Sequence, residues 1–503
     1  LELRFEMVTP TSIRGKVADG AILLTFVRIF TRVFDFVTLI ILTRHLLPRE
    51  FGLVAIALTV MQITEAVMEM PTAQVLLQIA SPKRRHLDTA FTLSLLRGLA
   101  IGVFLCAVAW PLALFYGDMR LVALICALAL APATRSLRSP KLFEYYKAMR
   151  FGPDALAETI GKAAALVASA SVAIATGSYW AIAIATITAP FVGALASFVI
   201  APYRPRLTLV HWRLFHKYIG WNMAGQVASA LNWQCDRFTL GKLTSQTTLG
   251  LFSIAKDLGS TVLKAMIDTL ARPIIVAFST VRHDSVRLAT AFSKVISVTY
   301  SIGLPVAVGQ ALLAREFIFL IFGPKWVEAA PVFQAVCLGF IPGFYSNTSS
   351  ALFYALGKPE LVFSRNFADF VFRVPLMIGS ILLFGWIGAA YALVLAEVWL
   401  ALICLTKVSK LLDASWTSQI VPLWRGMLSV LAMTVAVEMA RWDSPRIENV
   451  AAAVDSLLRI VPLAAVVYVA THIATWWFSG RPEGVEWTAL GLVRSKFRKP
   501  AIL

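Results

Sequence analysis

Charge is scarce in this chain. Asp, Glu, Lys and Arg make up 15% of its 503 residues, against roughly 25% in soluble domains, and the shortfall excludes an ordinary soluble fold. Cysteine is scarcer still. The five residues Cys106, Cys126, Cys235, Cys337 and Cys404 all lie inside apolar segments, without metal-ligand or pairing spacing. They read as small core hydrophobes, so neither a disulfide framework nor a metal site is expected. Catalytic signatures are missing too: there is no HExxH, GxSxG, P-loop or strand–helix GxGxxG, and the six histidines are dispersed. No connection is long enough to present a reactive group from a separate domain. The composition therefore speaks against an enzyme, and no cofactor is expected.

What the chain has is apolar length. Runs such as LAIGVFLCAVAWPLALF (99–115) and ALVASASVAIATGSYWAIAIATITAPFVGALASFVI (165–200) recur along it, and about 20 apolar residues span a bilayer as a helix. Turn and charge signals divide the sequence into about fourteen spans, near 18–43, 51–79, 88–116, 119–146, 154–176, 179–202, 216–241, 246–279, 288–315, 327–356, 361–384, 386–408, 418–440 and 456–478. The expected fold is an all-α polytopic membrane protein. An even number of spans places both termini on one side. About 22 Lys/Arg fall in segments on that side and about 8 on the other, which marks the terminal side as cytoplasmic. The net charge of +18 thus encodes topology rather than nucleic-acid binding. Residues before the first apolar run are mixed and polar, so no cleavable signal peptide is expected. The basic tail VRSKFRKP (493–500) suits the anionic leaflet.

The chain also repeats itself. FGLVAIAL (51–58) and LGLFSIAK (249–256) agree at Gly, Leu, Ile and Ala, and TAF recurs at 89–91 and 290–292 in the same order. A duplication would make residues 1–210 one six-helix lobe and 211–412 a second. Two appended helices (413–480) and a basic cytoplasmic tail (481–503) complete the chain. Two lobes of equal orientation around a central cavity are the arrangement in which transporters bind substrate near the midplane. Prolines at Pro71, Pro111, Pro132, Pro140, Pro190, Pro273, Pro305 and Pro375 fit a moving bundle, although membrane helices contain proline in any case.

Charges inside the apolar spans need a reason, because each costs roughly 2.5–3.5 kcal/mol at a helix centre. FVRIFTRVFDF (26–36) carries Arg28, Arg32 and Asp35 at i, i+4 and i+7, on one helical face. Arginines snorkelling to headgroups explain that stretch equally well. RSLRSPKLFEYYKAMR (135–150) contributes Arg135, Arg138, Lys141, Glu144 and Lys147, and Asp236 and Arg237 follow Trp233. Asp257, Lys264 and Asp268 share a face, with Arg272 a turn on, and Arg365, Asp369 and Arg373 recur every four residues. Each group alone reads as an ion pair or a helix end. Together they read as a charged cavity with an arginine excess, which suits phosphate oxygens. The candidate substrate-binding residues are Arg28, Arg32, Asp35, Arg138, Lys141, Asp236, Arg237, Lys264, Arg365, Asp369 and Arg373. Glu65, Glu69 and Asp257 are candidate coupling carboxylates, though polar packing accounts for Glu65 and Glu69 as readily. On this reading Arg28→Ala and Arg373→Ala abolish transport with protein levels near normal.

Over its full length the sequence resembles the bacterial polysaccharide transporters, the Wzx-type oligosaccharide flippases of the multidrug/oligosaccharidyl-lipid/polysaccharide exporter superfamily. The resemblance rests on LTRHLLPREFGLVAIA (42–57), DRFTLGKLTSQTTLGLFSIAKDL (236–258), IFGPKWVEAAPVFQ (321–334) and YALGKPELVFSRN (354–366), in that order. It carries over Asp236 and the Gly250 turn. It implies a flippase of the bacterial cytoplasmic membrane that moves undecaprenyl-diphosphate-linked oligosaccharide repeat units by alternating access. Such a flippase serves exopolysaccharide or O-antigen synthesis, acts as a monomer among membrane lipids, and works beside a polymerase and chain-length machinery. The arginine-rich opening region of the peptidoglycan-precursor branch is missing, which argues against lipid II as cargo. Two rivals remain: a Na⁺- or H⁺-coupled multidrug antiporter, whose cavity would favour carboxylates over arginines, and a membrane polymerase or ligase, which would need a larger outer loop. A membrane scaffold would leave the charged spans unexplained.

Overall fold

The computed structural model describes residues 30–70, 72, 75–76, 79, 82–148, 150–441 and 449–480, with backbone alone at 216–229, 231 and 272. Among them there are helices and connections but no strand. The chain divides into two compact units, Leu1–Gly250 and Leu251–Leu503.

The first unit holds α1 (30–45), α2 (Pro48–Val67), α3 (Arg84–Tyr116), α4 (Arg120–Leu128), α5 (Leu130–Arg135), α6 (Leu142–Lys147), α7 (Gly152–Thr176), α8 (Trp180–Ile200) and α9 (Trp212–Leu243). It ends in the first turn of α10 (Gln246–Val281). The second unit continues α10 and adds α11 (Ser285–Leu312), α12 (Ala314–Phe322), α13 (Ala330–Ala355), α14 (Pro359–Leu412), α15 (Trp416–Ile420), α16 (Trp424–Arg441) and α17 (Val450–Phe478).

Nine helical segments among the described residues are long and apolar enough to cross a membrane, and the chain is a multi-pass membrane protein. Helices α9 and α10 have the length, at 32 and 36 residues, but their polar and charged residues dilute the apolar signal. Helix α14 counts once yet is two helices. Gly385 interrupts it at φ 65°, ψ −156°, a conformation that glycine adopts without a Cβ penalty. The chain folds back there so tightly that a Cβ on Gly388 would lie 2.0 Å from the Ser380 carbonyl oxygen. The expected boundary between spans 361–384 and 386–408 falls on this glycine.

Three expected spans differ. Residues up to 29 of the first, Arg28 included, lie outside the described residues, and α1 runs on to 45. The second, expected over 51–79, ends as a continuous helix at Val67. There Arg97 of α3 donates from Nε to the Met68 carbonyl (2.6 Å) and from Nη2 to that of Glu65 (2.9 Å), filling acceptors that a helix end leaves open. The fourth, expected unbroken over 119–146, is divided into α4, α5 and α6 around a turn at 136–141. Ser139 precedes Pro140, which disfavours helical backbone. Tertiary bonds hold the turn: Ser139 N donates to Ser197 Oγ (2.9 Å) and Ser139 Oγ to the Ala201 carbonyl (2.7 Å). Gly98 on α3 makes room for it, since a Cβ there would meet Ser136 Oγ at 2.3 Å.

Small residues set the packing of the first unit. Ala157, Gly161, Ala165, Ser169 and Ala173 recur every four residues along α7 and are buried against α8. A Cβ on Gly161 would approach the Ala189 carbonyl oxygen to 2.3 Å, the close approach by which membrane helices gain van der Waals contact. The repeated Gly-Leu motifs meet in the same way. A Cβ on Gly52 would lie 1.7 Å from the Gln246 carbonyl oxygen, and one on Gly250 would lie 1.9 Å from that of Pro48. Each glycine faces the carbonyl four residues before the other. Beside this crossing, Asp118 accepts from Arg120 Nη2 at 2.6 Å and from Gln246 Nε2 at 2.8 Å. Hydrogen bonds from Arg120 hold the Asp118 carboxyl well below the usual carboxylate range.

At the opposite end of α3, the basic connection from α8 to α9 lies along the helix. Buried Asp88 accepts from Tyr203 Oη (2.8 Å) and from Arg206 N (3.0 Å), and Thr208 N donates to Thr92 Oγ1 (3.0 Å). Burial, then Asp88, pushes the Tyr203 phenol up to about 12. In the second unit α11 packs on α13 and α16, and α13 lies along α14. Arg441 at the end of α16 pairs with buried Glu316 of α12.

A charged cavity in the first unit

The divided fourth span and the early end of α2 leave a cavity of about 590 Å³ in the first unit. Its walls come from α2, α3, α5, the 136–141 turn, α6, α7 and α9. Three arginines line it, Arg97, Arg135 and Arg138, and three carboxylates, Glu65, Glu69 and Asp154, together with Gln62, Tyr146 and Trp233. Among the described lining residues the two signs are equal in number.

Two of the arginines are held in ion pairs, and Arg97 is held by the Met68 and Glu65 carbonyls. Arg135 Nη1 contacts both Glu65 carboxylate oxygens at 2.9 Å. Arg138 Nη2 lies 2.6 Å from Asp154 Oδ1, and Asp154 also accepts from Tyr146 Oη. Arg138 Nε is buried and finds no acceptor among the described residues. An unfilled buried donor costs roughly 1–3 kcal/mol. Gln234 of α9 donates to Gln62 of α2 and closes one side.

Of the residues proposed from sequence, this cavity brings together Glu65, Glu69 and Arg138. Lys141 lies half-buried in the adjoining turn and Arg32 is exposed on α1. Asp35 pairs with Lys162 of α7, which also approaches Glu158 to 3.8 Å. Asp236 and Arg237 are buried in α9, where Asp236 Oδ1 accepts from Arg237 N at 2.7 Å. The second unit holds the others. Asp257 is exposed and Lys264 half-buried on α10. Arg365 reaches across to the Ser346 carbonyl at 2.5 Å. Asp369 is fully buried, and Arg373 bridges it (3.0 Å) to Glu397 (2.9 Å), joining the two halves of α14.

Arg97, Asp154, Glu158, Lys162 and Glu397 escaped the sequence reading. Asp154, Glu158 and Lys162 had the same four-residue spacing as Arg365, Asp369 and Arg373, and that periodicity was the available signal. Glu397 had only its isolation within an apolar run. The Arg373 bridge changes an expectation: Arg373→Ala strands a fully buried carboxylate, at a cost of about 3–5 kcal/mol. Loss of folded, detergent-stable protein is therefore expected rather than normal levels. Fluorescence-detected size exclusion measures it, and Arg373→Met with Asp369→Asn is expected to recover part of the yield.

Comparison with known proteins places the chain. A family model described as polysaccharide biosynthesis protein matches residues 41–331. Lipopolysaccharide biosynthesis protein WzxC of Escherichia coli (strain K12) is 22% identical over 434 residues, 82% of this chain and 85% of that protein. Succinoglycan biosynthesis transport protein ExoT of Rhizobium meliloti (strain 1021) is 23% identical over 413 residues, 80% of this chain and 81% of its own. Among solved structures, lipid II flippase MurJ in an inward closed conformation aligns with a TM-score of 0.75 at 15% identity, covering 92% of this chain and all of that one. An inward-facing multidrug resistance MATE family transporter of the MOP superfamily aligns at 0.60 with 14% identity, over 80% of this chain and 96% of its own. These two likenesses establish the fold. The family match, spanning more than half of the chain, establishes its membership: it belongs to the polysaccharide biosynthesis protein family.

Proposed function

We propose that the chain is a flippase that moves undecaprenyl-diphosphate-linked oligosaccharide repeat units across the bacterial cytoplasmic membrane. The translocated units feed exopolysaccharide or lipopolysaccharide O-antigen synthesis. The observation that carries this reading is the cavity walled by Arg97, Arg135 and Arg138 inside a membrane-embedded unit. Guanidinium groups match phosphate oxygens in geometry and charge, and a diphosphate is the polar anion that a polyprenyl-linked sugar brings into a bilayer. The names of the relatives WzxC and ExoT support the sugar component. Alternating access, both termini in the cytoplasm, a functional monomer, and work beside a polymerase and chain-length machinery belong to the same proposal.

Deleting the gene is expected to stop surface or secreted polysaccharide while lipid-linked repeat units accumulate on the inner leaflet. Mass spectrometry of the extracted lipids identifies the species. Normal polysaccharide output in a strain with no second exporter would refute the proposal. The equal number of carboxylates and arginines in the cavity favours one second reading, a cation-coupled multidrug antiporter. That reading requires that expression raise resistance to cationic dyes.

A further inference from the structure

The second unit contains a smaller cavity, of about 190 Å³, between α10, α11 and α13. On α13 the run Ser346, Asn347, Thr348, Ser349 and Ser350 is out of place in an apolar helix, and Asn347, Thr348 and Ser350 of it line the cavity. Their hydroxyl donors are already used. Thr348 Oγ1 donates to the Phe344 carbonyl (2.9 Å) and Ser350 Oγ to that of Ser346 (3.0 Å). Thr299 of α11 donates likewise to the Val295 carbonyl at 2.9 Å. Asn347 Nδ2 spends one of its two N–H groups on the Gly343 carbonyl (2.8 Å). What these side chains have left is mainly acceptor oxygen, hydroxyl lone pairs and the Asn347 Oδ1, with one Asn347 N–H. Opposite them stands the Asp268 carboxylate of α10.

Asp268 and Asn347 are both exposed. A carboxylate open to hydrocarbon at membrane depth is costly, so this cavity is wet. The rest of its lining is apolar, from Ile267, Ile274 and Ala351, with the rings of Phe344 and Tyr354. Tyr354 lies one helical face along from Asn347 and is 54% exposed. An acceptor-rich edge beside an aromatic and aliphatic surface matches one ligand chemistry closely. A pyranose ring presents hydroxyl donors at its rim and C–H groups on its face, and aromatic side chains offer their own apolar faces for such contact.

We infer that this cavity is a sugar-binding subsite, in which Asp268 and Asn347 accept hydrogen bonds from pyranose hydroxyls and Tyr354 packs on the ring. The inference rests on the proposed reading that the cargo carries sugar, and it makes these residues determinants of sugar specificity. The test uses the full chain in nanodiscs and two probes: lipid-linked oligosaccharide extracted from the deletion strain, and undecaprenyl diphosphate without sugar. Asp268→Asn is expected to weaken binding of the first about tenfold, the lower end of what a hydrogen bond to a charged group contributes, and Tyr354→Ala to weaken it about as much through lost ring packing. Binding of the second is expected to stay at the wild-type level.

Equal affinity of wild type and variants for both probes overturns the subsite, and so does a parallel loss for both. A third probe, ethidium, covers the cationic alternative: loss of ethidium binding in Asp268→Asn with unchanged oligosaccharide binding also overturns it. Failure of the wild-type protein to bind either lipid probe overturns the flippase reading itself, and the subsite falls with it.

Discussion

Gly250→Val is expected to abolish export and to lower thermal stability, because no side-chain rotation relieves what it introduces. The Cβ alone would lie 1.9 Å from the Pro48 carbonyl oxygen, 2.8 Å from its carbon and 3.0 Å from Gly52 N. All three are backbone atoms in α2 or its first turn, so α2 and α10 must move apart. Overpacking of this kind costs about 1–3 kcal/mol and sometimes more, and rigid partner atoms place it at the upper end. The reciprocal contact at Gly52, 1.7 Å from the Gln246 carbonyl oxygen, makes a sharper version possible. One separation of the helices accommodates both new methyl groups, so Gly52→Ala with Gly250→Ala is expected to cost less than the sum of the single changes. Coupling between touching residues is about 0.5–3 kcal/mol. Thermal unfolding of the four proteins in detergent measures it, and strict additivity would mean that the two glycines do not share one crossing.

That crossing was partly legible in the sequence. The matching Gly-Leu motifs at 51–58 and 249–256 marked both glycines, but only coordinates show that the two copies touch each other. Gly385 was legible for a local reason: a lone glycine between two apolar runs is a turn signal that no tertiary contact needs to support. The break in 119–146 was announced only by Pro140, because the contacts that hold it are remote. Ser139 is held by Ser197 and Ala201, and nothing near Ser139 in sequence announces either partner. Arg97 was hidden by the same dependence on distance, since its role follows from where α2 stops. Charge spacing located Arg365, Asp369 and Arg373 on one face, but spacing describes a single helix. It said nothing of Glu397 on the returning half of α14, nor of Asp154, the carboxylate that completes the balance of charges lining the cavity in the first unit.

That balance governs the other large effect. Arg135→Gln is expected to eliminate export while leaving the amount of folded protein near wild type, the opposite of Arg373→Ala. The Arg135 side chain is 54% exposed, and an ion pair that open contributes at most about 1 kcal/mol to stability. Its loss is therefore read in function. For Arg135 to grip a diphosphate it must leave Glu65, and among the described lining residues Arg138 is already held by Asp154 and Arg97 by two backbone carbonyls. Glu65→Gln removes the competitor, so it is expected to tighten binding of undecaprenyl diphosphate to the protein in nanodiscs. Arg135→Gln with Glu65→Gln restores the charge count but not the phosphate ligand. Normal export by that double variant would show that Arg135 serves only to neutralise Glu65.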